Sequence, residues 1–224
     1  MFILNSSTLN YPCFITRFLA PAEMGRQSFR EVVVSSVILE HISALLVSLT
    51  PSFFLDDGWK HLIDDRNPSV RGFAIERFAL ATIFSSGLAA YDIVASRSCE
   101  LRMFDSSANL PTLPKENDHK TPLLYVPETW NHKRIDAVLI TPDKFVAIQV
   151  TFQPVSKHAD TRLFFEEDVS GWSIGKRKWY LLWIVPKKEA DSRNALGGAA
   201  GRFTFTEVFM PLSTLAPALK MYNL

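Results

Sequence analysis

Apolar positions along this chain switch between two spacings, and the switches divide it into elements. Between Arg26 and Leu49 the residues Val34, Ile38, Ile42, Leu45, Leu46 and Leu49 recur at helical intervals. That helix is expected to stop before Thr50-Pro51, because proline disfavours helical geometry at the residue preceding it. A short helix follows over Phe53–Ile63, with Phe53, Phe54, Trp59 and Leu62 facing inward. Asn67-Pro68-Ser69 is a strong helix start, with Asn as cap and Pro in the first helical position. The helix it opens runs to about Ser85, and Gly87 ends it. Its apolar residues Val70, Phe73, Ile75, Phe78, Leu80, Ile83 and Phe84 cover nearly the whole circumference, so it is expected to be buried on most sides.

Beyond Gly87 the pattern becomes strand-like. Ala90–Ala95, Leu101–Phe104 and Leu123–Val126 read as strands, and Asp105–Lys120, rich in Ser, Pro, Asn and charge, reads as a loop. Arg134–Ile140 and Lys144–Phe152 form a hairpin-like pair around the turn Thr141-Pro142-Asp143. Asp160–Asp168 is expected to be helical. Trp179–Val185 is continuously apolar and reads as a buried strand. Phe203–Phe209 alternates, as an outer strand would, and Gly197–Gly201 reads as a flexible turn. The expected class is α/β: a mixed central sheet with the 68–84 helix packed on it. Residues 1–58 form an irregular and helical N-terminal appendage to a domain spanning 59–224.

Three polar interruptions break the most apolar stretches. Glu76 lies inside the buried helix, Asp136 opens the run Ala137–Ile140, and Gln149 with Thr151 breaks the run Phe145–Phe152. A carboxylate in a core segment is costly unless it is paired, hydrogen-bonded or metal-bound. At helical spacing Glu76 has Gly72, Phe73, Ala79 and Leu80 as neighbours, none of them a cation, and Arg77 is expected to project elsewhere. Arg71 or Arg134 for Glu76, and Lys133 for Asp136, stay open as ordinary partners. Gln149 and Thr151, two apart on a strand, share a face, and Asp136 on the partner strand can reach the same area. Magnesium takes one or two carboxylates, some waters and phosphate oxygens, and it polarises a phosphate toward attack by water. Two carboxylates with an adjacent amide are therefore a candidate divalent-metal site for cutting a phosphodiester.

Composition narrows this only slightly. The 224 residues are 47% hydrophobic and 21% charged, enough for one well-filled globular core. The net charge of +1 gives no overall basic bias toward nucleic acid, and the clusters His132–Arg134 and Lys176–Lys178 read as solvated turns or strand ends. Cys13 and Cys99 make neither a C-x-x-C pair nor a disulfide framework, which suits a reducing compartment. There is no P-loop, no Gly-rich dinucleotide loop, and no nucleophile elbow around Ser69 or Ser170. Val32–Leu49 carries Glu40 and His41 at mid-span, so no membrane helix is expected. Met1–Ala20 does not read as a signal peptide, so either an intracellular protein or a piece of a longer one is expected.

The order helix glutamate, strand-start aspartate, then a polar i,i+2 pair on the next strand resembles the restriction-endonuclease-like PD-(D/E)xK superfamily. The segments NPSVRGFAIERFAL (67–80), WNHKRIDAVLI (130–140) and FVAIQVTFQPVSKH (145–158) resemble the nuclease-like C-terminal domain of Crinkler effectors and of trypanosome retrotransposon hot-spot proteins. The likeness covers roughly Trp59 to Val185. It implies a restriction-endonuclease-like mixed sheet flanked by helices and a metal-dependent phosphodiesterase acting on DNA. Glu76, Asp136 and Gln149 would hold Mg²⁺ (or Mn²⁺), and Thr151 with Lys157 or His158 would contact phosphate or water. It also implies secretion and action in a host nucleus, a P-loop ATPase module in a longer chain, and a host nuclear protein as a further partner. The third motif departs from the family pattern: Gln149 stands where an acid is expected and Thr151 where a lysine is expected. The related proteins look similar in having Gln-x-Thr followed by a basic residue or His. The alternative reading is a catalytically inactive nuclease-like module that binds DNA or a host protein, and a third is a structural fragment of a larger ATPase–nuclease polypeptide.

Overall fold

The computed structural model describes residues 47–48, 57–95, 99–104, 121–127, 134–169, 175–192, 196–200 and 203–217. The helix expected over 26–49 lies outside the described residues except for the helical Val47 and Ser48, and so do the loop expected over 105–120, most of the 1–58 appendage, and Lys133.

Two helices come first. α1 (Asp57–Ile63) docks on α2 (Pro68–Ser86) through Trp59, whose Nε1 donates to the Ala74 carbonyl at 3.4 Å and whose ring lies 6.5 Å from that of Phe73. The expected start and stop signals of α2 operate as read. Asn67 Oδ1 accepts from the Ser69 amide at 3.0 Å, Pro68 takes the first turn, and Gly87 closes the helix at φ 80° with its N–H on the Ile83 carbonyl. Buried residues occur all round α2, from Val70 and Phe73 to Leu80 and Ile83, as its apolar circumference demands.

The stretch expected as one strand over 90–95 is instead a hairpin, β1 (Leu88–Ala90) and β2 (Ile93–Ala95). Tyr91, at φ 55°, and Asp92 make its turn. Asp92 Oδ2 accepts from the Tyr180 hydroxyl at 2.7 Å and ties the hairpin to the sheet. The remaining described strands build a seven-stranded mixed sheet: β3 (Glu100–Phe104), β4 (Leu123–Pro127), β5 (Ala137–Ile140), β6 (Lys144–Val150), β7 (Lys178–Val185), β8 (Leu196–Ala200) and β9 (Phe203–Pro211), in the order β3-β4-β5-β6-β7-β9-β8. β4, β5 and β6 are antiparallel neighbours. β7 runs parallel to both β6 and β9, which explains its unbroken apolar sequence.

Two expectations at the far edge are corrected. Residues 197–200, read as turn, are strand, because glycine's missing side chain does not stop its backbone from pairing: β8 is antiparallel to β9. β9 is therefore not the outermost strand. The crossover from β6 to β7 also starts earlier than expected. It is a 3₁₀ segment over Val155–Leu163, followed by one π turn over Phe164–Asp168. Two short helices, α3 (Lys187–Asp191) and α4 (Leu212–Leu215), flank β8 and β9 in sequence.

The sheet separates two apolar layers. On one side α1, α2 and the hairpin pack on Leu124, Leu139, Val146, Ile148, Leu182 and Ile184. On the other the crossover packs Phe164 and Phe165 against Phe145, Leu181, Trp183 and Phe205. No helix among the described residues is long and apolar enough to cross a membrane.

Candidate metal centre at the end of the sheet

Alternation along β6 sends Val146, Ile148 and Val150 toward α2, and Phe145 and Ala147 toward the crossover. Gln149 and Thr151 carry the second parity. Asp136 precedes the first residue of β5, in line with Gln149 where the β5–β6 ladder ends, since Ala137 pairs with Ile148. The register makes the expected pair. Asp136 Oδ2 accepts from Gln149 Nε2 at 2.8 Å and from the Val150 amide at 2.6 Å. Both bonds fall on Oδ2. Asp136, Gln149 and Thr151 are all buried.

Glu76 arrives from the α2 side. Its carboxylate is close enough to Asp136 for its charge to act there. Burial, and after it the negative charge of Glu76, push the Asp136 acid well above the usual carboxylate range, against the opposing bonds from Val150 and Gln149 and the charge of Arg77. Glu76 is itself pushed up by burial and drawn back by Arg77. The charge of Glu76 thus makes the ionisation of Asp136 harder.

The expectation that Arg77 projects away from Glu76 is corrected. Arg77 Nη2 sits 2.7 Å from Glu76 Oε1. A guanidinium that is 3% exposed on an apolar helix needs a counter-charge, and its long side chain folds back to the nearest one. Neither alternative partner for Glu76 takes that place. Arg71 lies over the Phe152 ring, 5.7 Å from its centroid, and Arg134 pairs with Glu167 and Asp168 on the crossover.

Thr151 and His158 come together, as expected, while Lys157 does not join them. The crossover breaks helical geometry at His158 (φ −113°, ψ 42°), and there the imidazole Nε2 lies 2.8 Å from Thr151 Oγ1. The same hydroxyl accepts from the Gln153 amide at 3.0 Å and lies 3.4 Å from the Gln153 carbonyl, so either that carbonyl or His158 can take its proton. Burial lowers the His158 pKa, which favours the neutral ring. His158 therefore fixes the Thr151 hydroxyl and is not a ready cation. Lys157 is exposed, with Nζ 3.5 Å from Gln153 Oε1.

Arg77 was missed by sequence reasoning, although its position beside a buried acid was the available signal. Among the described residues no three His, Cys, Asp or Glu side chains cluster as a metal group. The set here is two carboxylates and an amide, which suits a cation that keeps waters and takes phosphate oxygens.

The raised Asp136 acid has a thermodynamic consequence. The native protein holds that proton to higher pH than the unfolded chain does. The resulting stability is complete below the ordinary aspartate value of about 3.9 and is lost as pH rises through the native value. In metal-free buffer, wild type is expected to lose melting temperature relative to Asp136→Asn as pH rises from about 4 toward neutrality. Parallel melting curves for the two proteins across that range would contradict the placement of the acid.

No family model, curated protein or solved structure matches this chain.

Proposed function

We propose that the protein is a metal-dependent phosphodiesterase acting on DNA, similar to a Crinkler-type effector nuclease module with a restriction-endonuclease-like core. One observation carries the reading: Asp136, buried at the head of a strand, lies near enough to the helix acid Glu76 for that carboxylate's charge to oppose its ionisation. A single guanidinium offsets only one of the two charges. Such a pair is relieved by a dication. Glu76 and Asp136 are the acids that would hold it, with the Gln149 amide hydrogen-bonded beside Asp136. When bound, Mg²⁺ (or Mn²⁺) supplies charge that polarises a phosphoryl group.

The remaining work falls to the chain. Val150 and Gln149 fix the rotamer of Asp136, and His158 fixes the hydroxyl of Thr151 beside the same strand end. Hydrolysis consumes one water: its oxygen bonds to phosphorus, the bond to one ester oxygen breaks, and that oxygen leaves with a proton. The order helix acid, strand-start acid, polar pair on the next strand supports the superfamily reading.

A second reading has an observation of its own. Gln149 donates to Asp136 and Arg77 pairs with Glu76, so each acid already has a protein partner. That arrangement suits a catalytically inactive module that binds DNA or a host protein. Calorimetric titration with Mg²⁺ and Mn²⁺, paired with a plasmid-nicking assay, decides between them. The proposed enzyme takes up one ion per chain and nicks only when loaded. A fold that binds DNA, takes up no ion and leaves the plasmid intact belongs to the second reading.

A further inference from the structure

A protein that holds a DNA strand must meet phosphate charge with cations that its own acids have not already taken. The described ion pairs occupy Arg77, Arg102, Arg134, Lys144 and Arg162. Arg71, half-buried near the start of α2, belongs to none of them. Its guanidinium is nonetheless held in place. It lies over the Phe152 ring, 5.7 Å from the centroid, within the range where a cation and a ring face attract. Nε is buried and without a hydrogen-bond partner. Nη1 and Nη2 form the outer edge of the plane, a two-donor fork that matches two oxygens of one phosphate.

Position ties this fork to the candidate centre. Phe152 directly follows Thr151 and stands two residues past Val150, whose amide holds Asp136. Arg71 precedes Glu76 by five residues, about 7.5 Å along the helix axis. The fork and the acids therefore flank one strand end, on the α2 side, where Phe152 packs. The charges that act on Glu76 and Asp136 are those of Arg77 and of Glu76 itself, so neither acid draws the Arg71 fork inward. A fork that stands apart from the acids suits a phosphate beside the one the centre would act on.

We propose that Arg71 anchors the DNA backbone at this end of the sheet. Its Nη1–Nη2 edge takes the two non-bridging oxygens of a phosphate neighbouring the scissile one, and Phe152 is the platform that fixes the plane of the guanidinium. The contact rests on the reading of this chain as a DNA-acting module. It holds for the nuclease and for the inactive binder alike, because it needs no turnover.

The test compares the full chain as wild type, Arg71→Met and Lys178→Met. Lys178 is an exposed cation at the opposite end of the sheet, where β6 and β7 begin, so its loss changes the net charge equally without touching this end. Binding of a labelled DNA duplex is followed by anisotropy in Ca²⁺ across a salt series. Arg71→Met is expected to bind about tenfold more weakly at roughly 0.1 M salt and to flatten the dependence of log affinity on log salt by about one unit, the signature of one lost phosphate contact. Lys178→Met is expected to keep the wild-type slope. Methionine retains an apolar stem over Phe152, so the melting temperature is expected to stay at the wild-type value; Arg71→Gln serves the same comparison if the methionine variant does not fold. Where the wild type nicks plasmid in Mg²⁺, Arg71→Met is expected to reach the same rate at saturating DNA and to need more DNA to saturate. A lower saturated rate would place Arg71 on the scissile phosphate and overturn the assignment to its neighbour. A folded variant with the wild-type slope, or a Lys178→Met protein whose slope falls as far, overturns the contact and leaves the DNA reading standing. A wild type that binds no duplex removes both.

Discussion

Asp136→Ala is expected to lower Mg²⁺-dependent nicking about a thousandfold or more, which corresponds to roughly 4 kcal/mol of transition-state stabilisation, while leaving the protein folded. Asp136 is the group on which the proposed cation depends most, because it brings a charge from the sheet itself and its position is set by two hydrogen bonds. Glu76 has an internal counter-ion in Arg77, whereas the hydrogen bonds to Asp136 Oδ2 come from neutral donors. Two opposing effects bear on stability. Removing the carboxylate strands the Val150 amide and the Gln149 amide, at about 1–3 kcal/mol for a buried donor left unmade. Against this, a buried acid that competes with Glu76 for its proton disappears. The expected melting temperature in metal-free buffer near neutral pH is therefore close to that of wild type. Asp136→Asn keeps the shape and should be equally inactive, since an amide brings no charge to a dication. Initial nicking rates of the three proteins, with melting curves as a folding control, check this. Wild-type rates in either variant would end the metal mechanism.

Much of this site was legible in the sequence because it consists of exceptions. A glutamate in a helix apolar all round, an aspartate at the head of an apolar strand, and an amide–hydroxyl pair at i,i+2 each break a pattern whose period is known. The hairpin turn fixes the register, and the register places Asp136 beside Gln149. Helix α2 was legible end to end, since Asn67, Pro68 and Gly87 carry local signals that tertiary context did not override. Arg77 was not legible. Helical spacing says which Cβ atoms are neighbours, but a side chain with four rotatable bonds can turn back on the residue before it when burial leaves no other counter-charge. The glycine-rich β8 was hidden for a different reason: its pairing is purely backbone and depends on β9 lying beside it. The split of 88–95 into two strands hangs on Tyr91 in a left-handed conformation that its residue type does not announce. The sequence signals that held were local or periodic; those that failed turned on a side-chain fold-back, a left-handed turn residue or a partner strand that no period encodes.

Phe165→Ala is expected to cost about 3–5 kcal/mol of unfolding free energy, a large share of the roughly 5–15 kcal/mol that a domain has. Phe165 is fully buried in the π turn of the crossover. Its ring stacks on Phe205 of β9 at 4.3 Å and 17°, and contacts Phe164 at 5.7 Å and Trp179 of β7 at 5.8 Å. One side chain thus joins the crossover to two strands, and aromatic pairing adds about 0.5–1.5 kcal/mol per pair beyond area burial. Alanine leaves a cavity between elements that are each held by their own backbone pairing, so the site has little freedom to collapse around it. Urea unfolding should show a lower midpoint with an unchanged slope, the mark of lost stability without a changed unfolded state. The crossover also carries His158 to Thr151, whereas Glu76 and Arg77 come from the opposite layer. Below its unfolding midpoint the variant should therefore bind Mn²⁺ like wild type while losing the order of the Thr151–His158 pair, visible as a His158 pKa moving back up toward the ordinary imidazole value. A loss below about 1 kcal/mol, under what even modest core truncations cost, would mean that Phe165 does not anchor the crossover. A parallel loss of Mn²⁺ affinity would mean that the two layers do not contribute to the site independently.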